Sequence, residues 1–113
     1  MKLITEAKNV PGVSIAPGVE RRVLAYGGSL MLTQFTFAAG AIAEWHSHPH
    51  EQVSCIVSGE IDYCTEGHPP VRLTAGGSFY VPPNLRHRVV AILPTVIVDV
   101  FTPQREEFIV KNE

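Results

Sequence analysis

Three histidines within five residues, His46-Ser47-His48-Pro49-His50, are the stretch of this chain best equipped to do chemistry. In an extended strand residues i and i+2 project to one face, so His46 and His48 stand side by side as two ligands of one ion would. Imidazole suits zinc, copper, iron and nickel. Gln52 opens the next apolar run and offers an amide oxygen, a neutral hard donor that leaves a site more positive than a carboxylate would. His87 follows the turn at Pro82-Pro83-Asn84 and can approach from a different strand. A lone histidine in a polar turn is an ordinary surface residue. Here all five histidines fall between positions 46 and 87, and that clustering needs a common cause.

The segments around them must be strands. Nine glycines and nine prolines cut the 113 residues into short apolar runs rich in β-branched and aromatic side chains, and no run sustains a 3.6-residue period. Strands are expected at 21–25, 29–37, 42–46, 52–58, 60–65, 71–74, 78–81, 87–91 and 95–101, an all-β chain. So many short strands predict a sandwich, jelly roll or closed barrel, because such a domain must hide its edges. Residues 104–113 are more charged and fit a short helix, a further strand or a loose end. Cys55 and Cys64 form neither a CxxC pair nor a disulfide framework and are expected as buried apolar fillers.

A hydrophobic content of 45% against 18% charged residues places the chain among globular proteins, and its length among single domains. A net charge of −2 gives no basic footprint for nucleic acid. With neither a signal-peptide core nor a membrane-length apolar run, the expectation is a cytoplasmic protein without nucleic-acid or membrane partners.

Gly40, five residues, His46-Ser47-His48, three residues, Gln52, six residues and Gly59 resembles the first cupin motif; Gly76, five residues, Pro82-Pro83-Asn84, two residues and His87 resembles the second. The resemblance implies one cupin domain over 1–113, an RmlC-like jelly-roll barrel with motif one at about 40–59 and motif two at about 76–91. Two positions depart from the usual pattern. The first motif's customary glutamate ligand is Gln52, and the glycine after the motif-two proline is Asn84, which tolerates the left-handed conformation.

The string from His46 to Gln52, with Tyr80-Val81-Pro82-Pro83-Asn84, then Asp99-Val100-Phe101-Thr102-Pro103 and Arg105-Glu106, is also similar to the KdgF-type cupins of pectin and alginate degradation. That resemblance implies an enzyme opening the ring of 4,5-unsaturated uronates to linear 5-keto-4-deoxyuronate. It also implies one divalent transition metal ion (Ni, Zn, Mn, Fe or Co) on His46, His48, Gln52 and His87, and Asp99, Phe101 and Arg105 as residues of catalysis. The partners it implies are a small-molecule sugar acid and a second copy in a homodimer. The residues agree in part. Asp99 and Phe101 share a strand face, and Asp99 is the only charge in 96–101, where a carboxylate needs a partner or a task. Taken alone, Phe101 is core and Arg105 an ordinary solvated arginine; a bidentate grip on a carboxylate is its functional alternative. His50 and His68 have no assigned role, and Arg86 and Arg88 are expected to face away from His87 into solvent. An iron-dependent dioxygenase, a polyketide cyclase-like cupin and a non-catalytic sugar sensor remain as alternatives to the ring-opening enzyme.

Overall fold

The computed structural model describes residues 2–109. Ten strands run through them: β1 (Val13–Ala16), β2 (Val19–Gly27), β3 (Leu30–Phe37), β4 (Ile42–His46), β5 (Glu51–Ser58), β6 (Glu60–Thr65), β7 (Val71–Thr74), β8 (Ser78–Val81), β9 (His87–Ala91) and β10 (Thr95–Thr102). Only two 3₁₀ turns, Ala7–Asn9 and Glu106–Phe108, accompany them. The strands form two antiparallel sheets, one of six in the order β1-β2-β3-β10-β5-β8 and one of four in the order β4-β9-β6-β7. This is the jelly-roll arrangement, and each sheet has one face toward a shared interior.

All nine expected strands are present within two residues at either end, and β1 is an addition. Its Val13 and Ile15 stay exposed, so this edge strand lacks the inward alternation by which a strand is read from sequence. The segment left undecided at the C-terminus forms the 3₁₀ turn at Glu106–Phe108, and residues 110–113 lie outside the described residues. No helix among the described residues is long and apolar enough to cross a membrane.

Period-two alternation divides the interior into two ends. Val19, Phe37, Ile56, Ile61, Val81, Ala91 and Ile97 make an apolar core at one end. At the other end Thr33, His48, Gln52, Ser54, His87 and Asp99 are all buried. One strand shows the change: β10 buries Thr95, Ile97, Asp99 and Phe101 in turn, passing from the core into the polar end. The same alternation corrects the expectation for Cys55. Gln52, Ser54 and Ile56 of β5 point inward, so Cys55 points out and is exposed, whereas Cys64 is buried as expected.

Two turns hold the motifs in shape. Gly59 joins β5 to β6 at φ +99°, and a Cβ there would collide with the carbonyl of Pro94 and the hydroxyl of Thr95. Asn84 sits at φ +68°, the left-handed conformation foreseen for it. Its backbone N–H donates to the carbonyl of His48 at 2.7 Å, which ties the second motif's turn directly to a residue of the first.

Candidate metal centre

β4 and β9 pair so that His46 lies opposite His87, and His48 follows two residues later in the connection to β5. On the facing sheet, Gln52 lies opposite Phe101 and Ser54 opposite Asp99. The polar end is therefore built from both sheets. One ring nitrogen from each of His46, His48 and His87 lies within 4.8 Å of the others. His48 and His87 are buried, and His46 is exposed at the mouth.

The outer nitrogens of the three rings are already engaged. Nδ1 of His46 donates to the carbonyl of Glu44 at 2.7 Å, that of His48 to His50 at 3.0 Å, and that of His87 to Leu85 at 2.9 Å. Such backbone anchoring fixes the tautomer and leaves each Nε2 with a free lone pair. Burial depresses the proton affinity of all three rings, that of His87 to a pKa of about 4, against the opposing pull of these backbone bonds. The rings are therefore neutral near pH 7. Nε2 of His87 is buried with no hydrogen-bond partner, and Nε2 of His48 faces the Gln52 Oε1 atom at 2.9 Å. Two lone pairs at that separation and an orphaned third are the arrangement that a shared cation relieves. The three-histidine cluster thus fits a transition metal in its donor type, its protonation state and its geometry.

A hydrogen-bond chain leads from this cluster into the interior. The Gln52 side-chain N–H donates to Ser54 Oγ at 2.8 Å, and the Ser54 hydroxyl donates to the carboxylate of Asp99. Burial pushes the Asp99 carboxyl up to a pKa of about 6, held back by the Ser54 hydroxyl, the Arg105 charge and the Gln52 amide. Phe101, 1% exposed, packs edge-on to His48 with ring centroids 5.7 Å apart. Arg105 is half-buried, its guanidinium 5.1 Å from the Phe101 ring centre and 4.2 Å from that of Phe108, and it pairs with Glu107 at 3.0 Å. It is not the freely solvated arginine that composition alone would predict.

The other expectations divide. His68 is in an exposed turn, bonded to the carbonyl of Glu66. His50 contributes its backbone carbonyl to orient His48. Arg86 is exposed, but Arg88 is only partly so, and both lie over the Trp45 ring at 5.6 and 5.3 Å. Ser54, absent from the motif reading, is the residue that joins Gln52 to Asp99. Its one sequence signal is its place two residues after Gln52 on the same strand face.

Residues 33–101 match the cupin domain family. The chain is 29% identical over 101 residues to the pectin degradation protein KdgF of Dickeya dadantii (strain 3937), an alignment spanning 88% of this chain and 91% of that protein. Among solved structures, an RmlC-like cupin from Shewanella frigidimarina NCIMB 400 is similar at TM-score 0.89 and 33% identity, covering 96% of this chain and 97% of the other. KdgF from Halomonas sp. is similar at TM-score 0.89 and 27% identity, covering 96% and 100%.

Proposed function

We propose that this chain, which belongs to the cupin family, uses one divalent metal ion to open the ring of 4,5-unsaturated uronates left by pectin or alginate breakdown. One observation carries the reading: three convergent imidazoles, the Gln52 amide and a buried Asp99 share one end of the barrel in a chain similar to KdgF over nearly its whole length.

His46, His48, His87 and Gln52 would hold the ion, which when bound supplies Lewis acidity to a substrate oxygen. The rest of the chemistry is proton transfer. The hemiacetal hydroxyl at C1 loses a proton, the bond from C1 to the ring oxygen breaks, and the enol formed at C5 takes a proton at C4 to become a ketone. Asp99 serves as the acid or base, since a carboxyl whose burial lifts it to about 6 exchanges protons readily near neutral pH. Arg105 receives the substrate carboxylate on its planar fork, in competition with Glu107. Phe101, packed between His48 and Arg105, keeps water from the space between the histidine cluster and the guanidinium.

The test loads purified protein in turn with several divalent metals and follows the absorbance of unsaturated galacturonate, with spontaneous opening subtracted and the product identified by NMR. Turnover above that background is expected. Turnover that never exceeds it with any metal overturns the reading; oxygen consumption would then indicate a dioxygenase, and binding without turnover a sensor.

A further inference from the structure

Ser54 is fully buried on β5, directly across the sheet from Asp99. Its hydroxyl bridges the Gln52 amide, beside the histidine cluster, and that carboxylate. A hydroxyl has a single proton to donate. With that proton given to Asp99, Ser54 Oγ can only accept from position 52, so position 52 must present an N–H. An amide that turns its nitrogen to Ser54 necessarily turns its oxygen to His48, where Gln52 Oε1 is found. A glutamate at 52 has no N–H to offer. It would leave two carboxylates competing for one serine proton and set a second buried negative charge beside the first.

We propose that Ser54 is a positioning residue that sets the direction of a hydrogen-bond chain from Gln52 to Asp99. It thereby makes the amide at 52 and the carboxylate at 99 a matched pair that presents a neutral oxygen to the ion. The oxygen-presenting half of this proposal rests on Gln52 being a ligand, as proposed above. The chain has two self-consistent polarities. In the first, which the structure shows, position 52 donates to Ser54 and Ser54 donates to position 99. In the second, available to the double variant Gln52→Glu with Asp99→Asn, the amide at 99 donates to Ser54 and Ser54 donates to the carboxylate at 52.

Thermal unfolding of metal-free protein at pH 8 reads this directly. Gln52→Glu alone is expected to lower Tm by about 5 °C or more, and adding Asp99→Asn to restore at least half of the loss. With Ser54→Ala in every member of the cycle the restoration should shrink to less than half its size, leaving only the relief of charge repulsion. Simple repulsion between two carboxylates would be relieved whether or not Ser54 is present, so restoration that persists in full without Ser54 overturns the proposal. Cobalt(II) titration supplies the second measurement. Ser54→Ala should weaken cobalt affinity about tenfold or more and shift the visible absorption bands, and Ser54→Thr, which keeps the hydroxyl, should retain both. Wild-type affinity and spectrum in Ser54→Ala would remove the link to the ion. If Gln52→Ala itself leaves the cobalt spectrum unchanged, the ligand set proposed above fails along with the oxygen-presenting half of this inference, while the metal-free cycle still decides the relay separately.

Discussion

Each histidine of the cluster spends one nitrogen on a backbone carbonyl and keeps the other free, and the consequences of that division are measurable. His46→Ala combined with His48→Ala should abolish stoichiometric metal binding, checked by elemental analysis of purified protein; full occupancy in the double variant would refute the cluster as the site. Asp99→Asn should retain the metal and lower kcat about a hundredfold or more with little change in KM. Arg105→Ala should chiefly raise KM, because its guanidinium sits within the cluster's electrostatic reach yet holds no ligand position. Steady-state kinetics on unsaturated galacturonate separates these two outcomes. Acidity gives a third test, on metal-free protein. An unfolded chain protonates its histidines near 6.5, but folded His87 resists until about 4, so the stability it contributes above 6.5 is lost as pH falls through that window, on the order of 3 kcal/mol for this ring alone. Asp99 acts in the opposite sense: its folded value of about 6 exceeds the unfolded 3.8, so stability is lost as pH rises from about 4 to 6. Three rings outweigh one carboxyl. Tm should therefore fall between pH 7 and 5, and fall more steeply in Asp99→Asn; a Tm that rises on acidification would contradict the burial of these rings.

At the scale of elements, the strands carrying the site were legible because their inward residues alternate with outward ones: β5 with Gln52, Ser54 and Ile56, and β10 with Ile97, Asp99 and Phe101. Edge strand β1 was not, since an exposed strand between Pro11-Gly12 and Pro17-Gly18 has no buried face to write into its sequence. The same rule, applied one residue further, would have placed Cys55 outside and Ser54 inside; a serine carries no chemical signal of its own until the residues across the sheet are known. Nor could spacing show that Arg105 rests on Phe101 and Phe108, because those contacts depend on the path of the chain after β10. The β5–β6 junction is where an element fails most sharply. Gly59→Ala should cost at least about 2 kcal/mol from the left-handed backbone and the collision with Pro94 and Thr95, read by denaturant unfolding, and an unchanged midpoint would show that the corner can yield.

For the whole molecule, the outward face of the six-stranded sheet presents large apolar side chains to solvent. Tyr80, Val53, Val100 and Leu32 form a row across β8, β5, β10 and β3, and the first three are more than a third exposed. A contiguous apolar row of this kind is what a second copy of the chain would cover, and a dimer across it is the prediction. Sedimentation should give twice 12.4 kDa, and Val53→Lys with Val100→Lys should return the chain to a monomer; a wild-type monomer would leave the row without a partner copy. The collision at Gly59 also changes what the two motifs mean as a pattern. The glycine lies outside the histidine cluster and serves only the corner, whereas the histidines serve the cluster. A library of every single substitution, sorted once for folded protein and once for turnover, should therefore split one signature in two: Gly59 depleted in both sorts, and the exposed His46 depleted only in the second. A chain in some genome that keeps the glycine and has lost the histidines would then be an heir to the barrel alone, with its chemistry relinquished.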